Sequence, residues 1–324
     1  MKLKLLAAAV AATACGTSSI AAEIYNSDGS TLAIGGYVDV GIGEYFETET
    51  KVHQVSPRVN ISGTQDVGNG VTVDAKGEWS LNYLEGGDTS FATRLGYIGA
   101  THESAGRLVI GTQWSPYYDV GGVADMPIAF ANDFLYGTGY YELGSARAER
   151  MVSYRNSFEV GENASIGFGL GWQGENTATY DTRGQAAIHA NFMGVGLGYA
   201  YSGGDVGVVD AESHVFSLYY GSYGNGLYVA GVIGSNEYFY SGLEETLQYE
   251  ALLAYAMNGV NLSVNYEAVE DDKANQTLYS QSALQAEYNF TPNLTGFAAY
   301  QFDLGNDVNV AEEDYWTLGV RYFL

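Results

Sequence analysis

Apolar and polar side chains alternate through most of this chain, in stretches of about ten residues separated by turn signals. Residues 259–270 show the pattern most clearly. Val260, Leu262, Val264, Tyr266 and Ala268 fall on one face, and Asn261, Ser263, Asn265 and Glu267 on the other. Val71, Val73, Ala75, Trp79 and Leu81 likewise oppose Thr72, Asp74, Lys76, Glu78 and Ser80. Leu284, Ala286, Tyr288 and Phe290 oppose Gln285, Glu287 and Asn289, and Val195, Leu197, Tyr199 and Tyr201 alternate with glycines and Ala200. Successive strand residues point to opposite sides, so each stretch is a strand with one greasy and one wet surface. No helical periodicity of comparable length competes.

Sixteen such strands are expected, at about 32–46, 53–64, 70–84, 91–102, 106–114, 148–158, 163–174, 183–191, 195–203, 213–222, 226–237, 245–257, 259–270, 279–290, 293–303 and 314–324. Asn258-Gly259 is a type I′ hairpin dipeptide, and Asn225-Gly226 and Asn69-Gly70 read the same way. Met193-Gly194 and Thr291-Pro292-Asn293 make other short connections. Longer acidic connections, such as 269–277 and 304–313, alternate with the tight ones. Ser115 to Arg147 is the one stretch without alternation. A loop of about 30 residues inside a compact domain is uncommon and usually functional.

A soluble sandwich would bury its apolar faces in a core dominated by aliphatics. Here Tyr and Phe gather near strand ends, as aromatic girdles do at the two bilayer interfaces. No backbone group can go unpaired in hydrocarbon, so strands that cross it must close into a ring. The fold class expected is all-β, a transmembrane antiparallel barrel of about sixteen strands.

Composition agrees. The 324 residues include 43 Gly, 28 Tyr, 4 Pro and 13 Lys and Arg together. Lys2 and Lys4, the apolar run Leu5 to Ala14, and Ser19-Ile20-Ala21 read as an export signal cleaved after Ala21. Residues 22–324 then form a single barrel domain. Cys15, the sole cysteine, lies in the signal, so a lipoprotein reading competes; otherwise the exported chain has no disulfide or Cys-based metal site. The net charge of −25 argues against nucleic acid as a partner.

Catalytic chemistry is not evident. His53, His102, His189 and His214 share no metal-ligand spacing. Ser213-His214 is the sole adjacent Ser-His pair, and neighbours on a strand face opposite ways. No G-x-S-x-G elbow occurs, and the glycine-rich patches lie on strands rather than in strand–loop–helix context. No enzyme activity and no cofactor are expected.

Several blocks carry a resemblance. Ala22-Glu23-Ile24-Tyr25-Asn26-Ser27-Asp28-Gly29, Thr93-Arg94-Leu95-Gly96-Tyr97, Tyr118-Asp119-Val120 and Tyr154-Arg155-Asn156-Ser157 resemble segments of Gram-negative general porins. The end is similar too, with Trp316, Leu318, Val320 and Tyr322 alternating toward Leu324, where the family usually ends in Phe. The resemblance implies a water-filled outer-membrane channel, surrounded by lipid and lipopolysaccharide, for passive diffusion of small hydrophilic solutes and ions. It implies a homotrimer, assembly through the C-terminal strand, and a long loop folded inward as a constriction.

In that family, acids on the loop face a ladder of bases on the far wall. By resemblance Asp125 is the first loop acid, the second falls at Ala129, and Asp133 matches a further one. Arg58, Arg94 and Arg147 match the ladder arginines, Arg150 is a neighbouring extra candidate, and a ladder lysine falls at Tyr37. Parity agrees for Arg58, since Val59 and Ile61 face outward. The field should persist but weaken. Asp39, Asp74, Glu78, Glu250, Glu267 and Glu287 would line the rest of the lumen with negative charge, giving a modest cation preference. The latch loop of the family corresponds to Leu84 to Ser90 and its partner arginine falls at Thr112, which puts that interlock in doubt. Two other readings stay open. A sugar-specific porin would need an aromatic track, for which Tyr37 and Phe130 are candidates, and a surface adhesin would act through its outer loops.

Overall fold

A computed structural model describes residues 21–86, 91–130, 133–240 and 242–324; the expected export signal lies outside these apart from Ala21. The strands are β1 (Ala22–Ser27), β2 (Ser30–Glu44), β3 (Lys51–His53), β4 (Arg58–Gly68), β5 (Val71–Leu81), β6 (Phe91–His102), β7 (Gly106–Trp114), β8 (Arg147–Glu159) and β9 (Ala164–Gln173). They continue as β10 (Tyr180–Phe192), β11 (Val195–Val206), β12 (Val209–Ser222), β13 (Asn225–Glu237), β14 (Glu245–Met257), β15 (Val260–Asp271), β16 (Gln276–Thr291), β17 (Leu294–Asp303) and β18 (Tyr315–Phe323).

Each strand from β4 onward pairs antiparallel with its sequence neighbour, β2 pairs with β4, and β18 returns to β2. The result is a closed antiparallel barrel of 16 strands. The other two are accessory. β3 is a short pairing on β2, and β1 takes up the edge of β2 where β18 stops, with Phe323 opposite Tyr37 and Ala22 opposite Ile34. Closure gives each of the sixteen ring strands a partner on both sides, while β1 and β3 each pair with β2 alone.

The alternation read from sequence is the wall of this ring. On β15, Leu262 is 54% exposed and Asn261 6%. Phe192, Tyr220, Tyr255, Tyr288, Phe290 and Tyr322 are exposed beside the short turns, and Phe91, Trp172 and Phe302 toward the other end. These are two aromatic belts bounding an apolar band.

Turns at one end hold two to four residues throughout. Asn69-Gly70, Met193-Gly194 and Asn258-Gly259 all have both residues at positive φ, as a type I′ turn requires. Two local expectations need correction. The turn near Asn225-Gly226 is centred on Tyr223-Gly224, and Asn225 already opens β13. The stretch 269–277 is mostly strand, because β15 and β16 keep pairing out to Asp271 opposite Gln276.

Candidate functional site

Between β7 and β8 the chain leaves the wall and lies inside the barrel. Pro116 and the Ser115 hydroxyl, which accepts the Tyr118 N–H at 3.0 Å, start a helical turn over Tyr118–Gly121. A 3₁₀ turn follows over Gly122–Ala124, then another at Asp133–Tyr136 and a last helical turn at Tyr140–Leu143. Apolar residues that a surface loop would expose are buried here: Tyr117, Val120, Phe130, Leu135 and Leu143.

The loop is held along its whole length by lumen-facing polar side chains. At the root, Arg155 meets Asp119 at 2.6 Å and donates to the Trp114 carbonyl at 2.8 Å. The Tyr117 hydroxyl meets Ser213 at 2.8 Å, and burial pushes that phenol up to about 12. Midway, Tyr228 donates to the Val123 carbonyl at 2.7 Å. At the tip, the Ala129 N–H donates to Gln285 at 2.8 Å, and Asn265 donates to the Phe130 carbonyl at 2.5 Å. Phe130 packs against Tyr45, Phe46 and Tyr315. On the return limb, Gln185 donates to the Gly144 carbonyl at 2.9 Å. The inward glycines of β11 allow this closeness: a Cβ on Gly198 would sit 2.9 Å from Val120.

Asp125 projects from the middle of this loop. Its carboxylate accepts from Tyr118 at 2.7 Å and Tyr136 at 2.6 Å. Burial raises its pKa above the ordinary aspartate value, while the two phenols, Arg147 and Arg58 pull the other way. No ion pair joins Asp125 to an arginine among the described residues.

The wall of β2, β4, β5 and β6 carries the bases. Glu78 meets Arg94 at 3.0 Å, Lys76 at 3.3 Å and Arg58 at 3.9 Å, so three cations share one carboxylate. Tyr37 lies between two guanidiniums, with Arg58 at 4.7 Å and Arg321 at 3.9 Å from its ring centroid. Arg321 in turn pairs with Asp39 at 2.9 Å. Arg147 begins β8 and is 4% exposed. It donates to Tyr140 at 2.6 Å and Tyr141 at 3.0 Å and sits 5.1–5.3 Å from the rings of Trp114, Tyr136, Tyr140 and Tyr141. This is a cation–π cage rather than an ion pair.

Arg58, Arg94 and Arg147 thus lie close enough to act on one another electrostatically, Asp125 is within reach of Arg58 and Arg147, and Tyr37 packs against Arg58. Arg150 does not join them: it stands exposed at a β-bulge with positive φ and donates to the Asn176 carbonyl at 3.3 Å. Asp133 opens the 3₁₀ turn, but its side chain lies outside what is described. The expected negative lining also needs correction. Asp39, Asp74 and Glu78 are each matched by an arginine, Asp74 by Arg107 at 2.6 Å. Sequence reading passed over Arg321, although its parity was visible, since Leu318, Val320 and Tyr322 all face outward. It also passed over the Asp119–Arg155 pair, which no local pattern signals.

Comparison with known proteins matches residues 6–324 to the family model described as Gram-negative porin. Outer membrane porin C of Serratia marcescens is 27% identical over 317 residues, covering 94% of this chain and 78% of that protein. Outer membrane porin C of Enterobacter cloacae is 24% identical over 365 residues and covers 99% of each. Among solved structures, a Salmonella typhi OmpF complex with daunomycin superposes with a TM-score of 0.78 at 20% identity, covering 94% of this chain and all (100%) of the other. An anion-selective porin from Comamonas acidovorans reaches 0.70 at 14% identity, covering 91% and 100%. These structural likenesses concern the fold; selectivity resides in the site.

Proposed function

The chain belongs to the Gram-negative porin family, a protein of the outer membrane, and from that premise we propose that it is an open channel for passive diffusion of small hydrophilic solutes and ions. The observation that carries this is that Asp125 on the inward loop accepts from Tyr118 and Tyr136 while Arg58 and Arg94 share Glu78, so that no ion pair joins the two sides among the described residues. Opposed charges that have not collapsed into an ion pair leave a field across the lumen. Such a field orients polar solutes without binding them tightly.

The net selectivity is for cations, though weakly. Three lumen acids are matched by arginines, so the preference rests on the remaining acids of the opposite wall and on the acidic outer loops. Lys273 is the sole Lys or Arg between Arg183 and Arg321. The functional unit is a trimer, a reading supported by a trimer form of Vibrio cholerae OmpT that shares the fold at a TM-score of 0.68 and 16% identity.

Purified protein in a planar bilayer tests all three statements. Ohmic conductance rising in steps of three, with a cation-positive reversal potential in a salt gradient, is the expected result. Anion-positive reversal overturns the selectivity, single steps overturn the trimer, and a folded barrel without conductance overturns the channel.

A further inference from the structure

Beneath the root of the inward loop, toward the short-turn end, lies a cavity of about 520 Å³ between the loop and strands β8 to β13. Four tyrosines converge on it: Tyr118 from the loop, Tyr219 and Tyr228 from the wall, and Tyr223 from a turn. Every one of their hydroxyls is already committed. Tyr118 donates to Asp125, Tyr223 to Glu287 and Tyr228 to the Val123 carbonyl, and the Tyr219 oxygen accepts from Asn191. Apart from the Tyr219 hydroxyl, which accepts from Asn191 and keeps its own proton, what they offer a ligand is ring face.

The Tyr219 ring lies flat against bare backbone, since a Cβ on Gly196 would come within 2.1 Å of it. Tyr223 and Tyr228 stand at 86° to each other with centroids 6.0 Å apart, and Tyr219 meets Tyr228 at 35°. The rings therefore make a corner rather than a parallel slot. The charges on the lining, Asp119 and Arg155, neutralise one another.

We propose that this cavity is a binding subsite for a neutral sugar of one or two rings, an inference that rests on the channel reading above. A neutral lining gives no grip on an ion. Electron-rich ring faces attract the C–H faces of a sugar, whose positive hydrogens oppose the negative π-surface. A puckered ring with C–H bonds on both sides fills a corner, whereas a flat aromatic ligand favours stacked faces. The volume falls within the range of small-molecule pockets.

Single-channel recording on the full-length protein, with lactose added at the short-turn end, tests this. A polyethylene glycol of similar mass is the control. Lactose is expected to interrupt the current in discrete closures, while the glycol merely lowers conductance smoothly. Tyr219→Ala should shorten the closures about tenfold, the loss of one ring contact, and Tyr219→Phe should keep them. Closures that survive Tyr219→Ala, or lactose behaving like the glycol, overturn the subsite. Tyr219-dependent closures with phenol and none with lactose overturn the sugar assignment. If no current flows at all, the channel reading fails instead, and calorimetric titration of lactose into the folded barrel decides the cavity separately: saturable heat lost in Tyr219→Ala supports it, and no heat overturns it.

Discussion

The two sides of the lumen treat their polar residues differently. On the wall of β2, β4, β5 and β6, guanidiniums and carboxylates satisfy one another and two aromatic faces, and among the described residues no hydrogen bond from the loop covers Arg58 or Arg94. On the wall of β10 to β16, neutral amides and hydroxyls such as Gln185, Ser213, Asn265 and Gln285 spend their hydrogen bonds on the inward loop. One wall is a charged surface facing water; the other is a cradle. A loop with many buried backbone groups needs such a cradle, because each unpaired group would cost about 1–3 kcal/mol. Paired charge is thus concentrated where the loop does not lie, while the cradle keeps the acids Glu250, Glu267 and Glu287.

The sharpest way to break this division is to unseat the loop at its root. Arg155→Ala leaves Asp119 without its partner and frees the Trp114 carbonyl. Removing one member of a largely buried pair costs on the order of 3 kcal/mol. We expect a lower unfolding temperature on heated gels, together with larger and noisier unit conductance. Unchanged conductance with lowered stability would mean that the cradle alone positions the loop.

Next in size is removal of charge from the other wall. Arg58→Ala with Arg94→Ala strips two cations and leaves Glu78 with Lys76 alone. A unit charge about 10 Å away in water is worth about 0.4 kcal/mol. Each loss acts with opposite sign on cation and anion, so the two together should raise the cation-to-anion permeability ratio about fifteenfold at low salt and less at high salt. The measurement is the reversal potential at two ionic strengths. A ratio that does not move would show that both arginines are spent on Glu78 and exert no net field.

Much of this was visible in the sequence, and what was not has physical reasons. All sixteen ring strands follow from period-2 alternation, since a membrane wall imposes opposite demands on its two faces. β1 escaped notice because it borrows the edge of β2 below the end of β18, and its Ala-Glu-Ile-Tyr-Asn-Ser carries no long alternation. Parity put Arg58 and the lumen acids on the correct face. It could not say which acids meet bases, because Asp39 and Arg321 or Asp119 and Arg155 come together only when the ring and loop close. Nor could it show that Arg147 would be enclosed by four aromatic rings, three of them from its own loop. Two of the blocks that carried the resemblance, Tyr118-Asp119-Val120 and Tyr154-Arg155-Asn156-Ser157, prove to be the two sides of the root ion pair.

The smallest expected effect concerns the single acid between the two walls. Burial raises the Asp125 pKa, so the folded channel takes up this proton at a higher pH than the unfolded chain does. A raised carboxyl pKa opposes folding above that range, and the opposition is relieved on acidification. Asp125 therefore gives no acid-triggered loss of stability. Its effect is on the field. As pH falls through the raised value, one negative charge opposite Arg58 and Arg147 disappears, and the permeability ratio should shift toward anions by about fourfold, since one charge at about 10 Å in water acts oppositely on cation and anion. Asp125→Asn should show that ratio already at neutral pH and lose this part of the pH dependence, while the two phenols keep an oxygen to donate to. If the acid shift persists in full in Asp125→Asn, the titrating group lies among the carboxylates of the cradle wall, and the field across the lumen is set from that side.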